Sequence, residues 1–198
     1  MNRVVSIVSL VLLVAVAAAT ALAYFALPDP MPVHFDLHGR ADGFGARAWG
    51  AWLVPAVAAA VWAGGRLARN ATMALALSTT SIFLLVLHVL VLRAVLDGSM
   101  ELGGGLALLL GAFAVAMGLV FPRLRRNRWV GIRLPWTLSS DENWSRAHRF
   151  GGAVYFFGGI ATLAVAPLGT SATPIAIGIL LAMTAIVTVG SWRMTRAS

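Results

Sequence analysis

Apolar residues in this chain gather into six long runs, at about residues 4–27, 50–65, 71–96, 103–121, 151–167 and 174–192, with polar breaks between them. A helix needs roughly 20 apolar residues to cross a bilayer core, so the pattern predicts an all-α, polytopic membrane bundle of about six transmembrane helices. The first run, about 24 residues long, would extend roughly 36 Å at 1.5 Å per residue. That is much longer than the 7–15-residue core of a cleaved signal peptide, and the run is read as a retained anchor. The second run is short and contains Pro55, which is tolerated if neighbouring helices satisfy the carbonyl it frees.

Composition supports this reading. Of 198 residues, 60% are hydrophobic and only 11% charged, and the mean hydropathy is +0.86, whereas soluble domains carry about 25% charged residues. No stretch is left for a separate soluble domain of ordinary size. The absence of cysteine excludes disulfides, thiolate metal sites and cysteine nucleophiles.

Charge adds direction. All 15 basic residues are Arg, against 7 acidic ones, giving a net charge of +8. With the N-terminus inside, one face collects Arg3, Arg66, Arg69, Arg123, Arg125, Arg126, Arg128, Arg133, Arg146, Arg149, Arg193 and Arg196, leaving Arg40, Arg47 and Arg93 on or near the other. The positive-inside rule then places both termini in the cytoplasm. The sequence pI near 11.7 records these loops, and no nucleic-acid partner is inferred. Three runs fall on each side of Gly98, which suggests an N-terminal half (1–98) and a C-terminal half (99–198).

Two loops hold most of the polar chemistry. The outer one, residues 28–49, enters through Pro28, Pro30 and Pro32, which favour extended backbone. His34, Asp36 and His38 follow at i, i+2 and i+4, on one face if the segment is a strand, and Asp42-Gly43 reads as a turn. Imidazole and carboxylate suit zinc or another divalent ion; Asp42 could complete the shell, and His88, within the third run, could approach it. The alternative is a polar cap with no metal. Asp97 and Glu101 are near enough to Arg93 to pair with it.

The inner loop, residues 122–150, interleaves Arg123, Arg125, Arg126, Arg128 and Arg133 with Trp129 and Trp136. Arg pairs bidentately with phosphate and Trp favours the headgroup region, so this segment is expected to lie on the inner leaflet. Residues 139–149 read as a short surface helix with Trp144 and His148 on one face. The candidate anion- or partner-binding residues are Arg125, Arg126, Asn127, Arg128, Arg133, Trp136, Thr137, Trp144, His148 and Arg149.

These two loops resemble the SdpI family (SdpI/YfhL-like bacterial integral membrane immunity proteins). Leu27-Pro28, Pro32-Val33-His34-Phe35, Gly39 and Asp42-Gly43 are similar to the domain of unknown function found at that family's N-terminus. Asn127, Gly131-Ile132-Arg133, Pro135-Trp136-Thr137-Leu138, Trp144, His148-Arg149 and Gly151-Gly152 resemble its C-terminal signature, with Leu134 where Thr is common. The resemblance implies a multi-pass protein of the bacterial cytoplasmic membrane that confers immunity to a secreted peptide toxin. It also implies a receptor that captures a transcriptional repressor. The inner motif would then face the repressor and the outer loop the toxin.

Three functions are thus open: toxin or envelope-stress immunity with signalling, which is not enzymatic; a metal-dependent membrane enzyme acting on a lipid or peptide at the outer face; and binding or translocation of anionic lipid. Membrane lipids are a partner in each. Glycines in the fourth and fifth runs permit close helix approach and homo-oligomerisation.

Overall fold

The computed structural model describes residues 3–68 and 70–196; for Arg3, Ser6 and Arg196 only the backbone is described, and Arg69 lies outside the described residues. Six long helices carry the chain: α1 (Arg3–Ala23), α2 (Arg47–Leu67), α3 (Ala71–Leu96), α4 (Gly103–Val120), α5 (Asp141–Val165) and α6 (Ala172–Arg196). Single 3₁₀ turns follow α1 and α4, and a longer one, Ala166–Ser171, joins α5 to α6. Between α1 and α2 the outer loop folds into two strands, β1 (Met31–Phe35) and β2 (Ala41–Gly45). The all-α bundle expected from the sequence is what forms, and a small antiparallel sheet caps one end of it.

Five stretches are long and apolar enough to cross a membrane, and the last, Asp141–Thr195, runs for 55 residues. As one straight helix it would extend about 82 Å, far beyond a bilayer. The chain instead reverses at Gly169, whose φ of 64° and ψ of −127° suit only a residue without a side chain. Cross-contacts of α5 with α6 run in opposite order: Trp136, just before α5, bonds Ser191, and Gly158 lies against Met183. The stretch is thus two antiparallel helices, and the molecule has six crossings.

The closest helix pair is α4 with α5. Gly111 and Gly118 on α4 meet Gly159 and Gly152 on α5; a Cβ built at Gly118 would lie 2.8 Å from the Gly152 carbonyl, and one built at Gly159 would lie 2.9 Å from that of Gly111. Two pairs of glycines, each two turns apart, bring the backbones together where any larger residue would separate them.

The structure also corrects the expected surface helix over 139–149. From Asp141 on, those residues are the first turns of α5 itself, continuous with the apolar part of the helix. Ser140 caps it by accepting the Asn143 N–H (3.0 Å), and Asp141 and Glu142 stand in its first turn, where the helix dipole favours carboxylates. Gly151 and Gly152 do not break it, because Ile132 and Pro122 pack into the space their missing side chains leave.

The hairpin is anchored through Met31, the first residue of β1, which is buried with Leu27, Ala51, Leu92 and Val95. Its turn is tied to the α3–α4 connection: Ala41 N–H donates to Met100 O and Leu102 N–H to Gly39 O, both at 2.9 Å, and Arg40 pairs with Glu101 at 3.0 Å. The hairpin thereby links the chain before α2 to the chain before α4.

Candidate functional site

At the opposite end, residues 121–140 fold against the head of α5. Trp144 and His148, one turn apart, stack with ring centroids 3.9 Å apart, and both are fully buried. The Trp144 indole N–H donates to Leu124 O at 2.6 Å. His148 has one tautomer open to it. Nε2 accepts the Ile132 backbone N–H at 2.9 Å, and Nδ1 faces the Trp144 carbonyl at 2.8 Å. A carbonyl can only accept, so Nδ1 carries the proton and the ring is neutral.

Gly131 lies against the edges of both rings. Its φ is +126°, and a Cβ there would fall on His148 Nε2 and within 2.9 Å of Trp144. Thr137, also fully buried, takes the Leu134 N–H (3.0 Å) and faces Ile132 O at 2.6 Å. Asn127 binds the backbone on both sides of its turn, its Oδ1 accepting from Trp129 and Val130 N–H and its Nδ2 donating to Arg125 and Val130 carbonyls. Trp136 reaches across to α6, donating to Ser191 Oγ at 2.9 Å. The polar groups of the signature thus close the loop onto itself and onto α5 and α6.

The arginines divide. Arg126 is held within the fold, by Leu138 O at 2.9 Å and Asp141 at 2.7 Å. Arg125, Arg128, Arg133 and Arg149 are exposed and have no side-chain hydrogen bond or ion pair among the described residues. Trp129 beside them is 75% exposed. Two hollows flank Arg126, one of about 520 Å³ that Arg123 and Arg125 also line, the other of about 450 Å³ shared with Arg128 and Trp129. The arrangement is a shaped, basic and aromatic face suited to an anionic partner.

The five residues read as metal ligands are not brought together. His34 lies on β1 and Asp42 on β2, whereas Asp36 and His38 fall in the turn between them. His34 Nδ1 meets Asp42 Oδ1 at 2.6 Å. Asp36 Oδ1 instead accepts the backbone N–H groups of His38 (2.7 Å) and Arg40 (3.0 Å). These bonds, that of Arg40 foremost, hold its carboxyl below the usual carboxylate range. Among the described residues no three of His, Asp and Glu are grouped to hold a metal ion. The one-face arithmetic fails because β1 ends at Phe35, leaving Asp36 and His38 in the turn, and bulges interrupt the strand pairing on either side of His34.

His88 lies elsewhere, fully buried in the bundle, with Nε2 3.1 Å from Thr20 Oγ1. Thr20 gives its hydroxyl proton to Val16 O at 2.8 Å, so His88 Nε2 must be the donor and Nδ1 carries a lone pair. That nitrogen has no partner among the described residues. Arg93 pairs loosely with Asp97 at 3.8 Å, whereas Glu101 is engaged by Arg40. Sequence reasoning did not single out Thr20 or Ser191; the signal for each was a hydroxyl residue inside an apolar run, where it needs a partner.

Residues 123–191 match the SdpI/YfhL protein family, and residues 11–59 match a domain of unknown function (DUF1648). No curated protein and no solved structure gives a significant match. The first match spans the signature loop, α5 and most of α6; the second spans most of α1, the hairpin and the first part of α2, in the order the resemblance requires. On this six-helix membrane bundle the chain therefore carries an SdpI/YfhL family segment over residues 123–191, preceded by the domain of unknown function over residues 11–59.

Proposed function

We propose that this protein confers immunity to a secreted peptide toxin or envelope stress and signals through its Arg-rich loop by recruiting a repressor. One observation carries the reading. The signature spends its polar side chains on holding the loop in shape, and it leaves Arg125, Arg128, Arg133 and Arg149 unpaired among the described residues beside the exposed Trp129. A fixed basic face with an aromatic anchor is built for recognition: Arg and Trp are the residues that dominate binding hot spots, and four unpaired guanidinium groups select an acidic surface. The toxin-facing part is the hairpin, at the opposite end of the bundle.

The test is survival. The chain is expressed in a bacterium sensitive to membrane-active secreted peptides, and a reporter is placed under a co-expressed candidate repressor. The expected result is protection by the wild-type chain and by an Arg128→Glu/Arg133→Glu variant, with transcriptional release only in the wild type. Protection by neither chain overturns the immunity reading. Equal reporter output from both overturns the role given to the basic loop.

A further inference from the structure

Between α3 and α4 runs a groove of about 550 Å³, within the size of small-ligand sites. It is lined along α3 from Thr79 to Arg93, fourteen residue steps and therefore about 21 Å of helix, more than half of the roughly 30 Å hydrocarbon core. Its walls are apolar. On α4 the small residues Gly105 and Ala112 leave it open, while Phe83 and Phe113 pair across it with centroids 4.5 Å apart.

The groove does not end in apolar surface. Leu90, Arg93 and Gly105 also line a second hollow of about 330 Å³ at the hairpin end, together with Asp97 and Glu101. The two hollows adjoin at these shared residues, so that an apolar channel has a polar mouth beside it. At that mouth the Arg93 side chain is 80% exposed and its nearest carboxylate, Asp97, stands at 3.8 Å, beyond hydrogen-bond reach. Asp97 accepts the Ser99 N–H at 2.9 Å, and Glu101 is held by Arg40 at 3.0 Å.

We propose that this channel is a binding site for one phospholipid with an amine-bearing zwitterionic headgroup, phosphatidylethanolamine being the bacterial example of that chemistry. An acyl chain lies along the apolar groove. The phosphate takes the free N–H donors of Arg93, whose planar fork suits it. The ammonium faces Asp97 and Glu101. An anionic headgroup without an amine would satisfy Arg93 but leave Asp97 without a cation, Glu101 being already paired with Arg40, so the charges at the mouth favour the zwitterion. This site is distinct from the Arg-rich loop, and its failure would leave the proposed function untouched.

The test is lipid retention. The full chain is reconstituted in bilayer discs containing equal phosphatidylethanolamine and phosphatidylglycerol, extracted in mild detergent and weighed by native mass spectrometry. One retained phosphatidylethanolamine per chain is expected. Arg93→Gln should reduce it about tenfold, the weight of one charge-assisted contact, and Ala112→Phe should reduce it by filling the groove. Asp97→Asn should shift retention toward phosphatidylglycerol without changing helix content.

Equal retention of both lipids by the wild type, or undiminished retention by Arg93→Gln, overturns the proposal. Because the chain has no cysteine, Ala112→Cys supplies a second arm. A disulfide-linked dimer formed in vesicles would mean that a second copy fills the groove, and would overturn the proposal as well. Should Ala112→Phe fail to fold, Arg93→Gln and Asp97→Asn still decide.

Discussion

His148 shows how a charged-looking motif residue can be architectural. Its two ring nitrogens are committed in opposite senses, one accepting from Ile132 and the other donating to Trp144, so it is a buried, neutral brace. Replacing it with Ala orphans the Ile132 N–H, which costs about 1–3 kcal/mol, and removes the ring stacked on Trp144. Gly131→Ala attacks the same joint from the other side, since its left-handed φ and the nearness of both rings leave no room for a Cβ. The loop is rich in trypsin sites, and a population of open loop raised by that energy is roughly 5- to 150-fold larger. Limited trypsinolysis in detergent should therefore cut either variant within residues 123–133 faster by a factor in that range, with the helices intact. Cleavage of both at the wild-type rate would mean that the loop is not held by these bonds.

The hairpin makes a different prediction, because its turn rests on a charge. Asp36 is stabilised as a carboxylate by the Arg40 and His38 amides, with the positive charges of His38 and Arg40 adding to the effect, so its folded pKa lies below the unfolded value. A depressed carboxylate pKa contributes stability that is fully present above the unfolded value and is lost as pH falls through the folded one. Exchange protection of the Arg40 and His38 amides, corrected for intrinsic rate, should thus hold at mildly acid pH and fall only below the ordinary carboxylate value. Asp36→Asn, which keeps an acceptor but no charge, should flatten that dependence; an unchanged profile would remove Asp36 as its cause.

These elements also mark what could be read from sequence. The six helices were legible because run length is a strong signal, insensitive to individual side chains. The hairpin was not, since its five-residue strands contain Pro32, Gly43 and Gly45 and their bulges spoil the alternation that would assign His34 to a face. Gly151 and Gly152 looked like a boundary between a surface helix and a span, yet they lie within one helix because Ile132 and Pro122 fill their places. Of the residues grouped as one anion site, Asn127, Thr137 and His148 turned inward while Arg128 and Arg133 stayed out; composition places them together, and only the hydrogen bonds separate them.

At the scale of the whole molecule, six crossings put the hairpin at one end of the bundle and the Arg-rich loop at the other, on the same side as both ends of the described chain. Nothing in the packing says which end faces the cytoplasm, and charge must decide. The loop end carries Arg66, Arg123, Arg125, Arg126, Arg128 and Arg133, of which Arg126 pairs with Asp141, whereas at the hairpin end Arg40, Arg47 and Arg93 all have a carboxylate within 4 Å. Short loops rich in arginine stay on the cytoplasmic side during insertion, and here the asymmetry is sharpened because the hairpin's positive charge is locally neutralised. The chain's lack of cysteine makes this directly measurable. In intact cells a membrane-impermeant maleimide should label His38→Cys and leave Trp129→Cys unmodified until the membrane is permeabilised. Labelling in the reverse order would invert the bundle, put the basic face outside and make a cytoplasmic repressor unreachable from it.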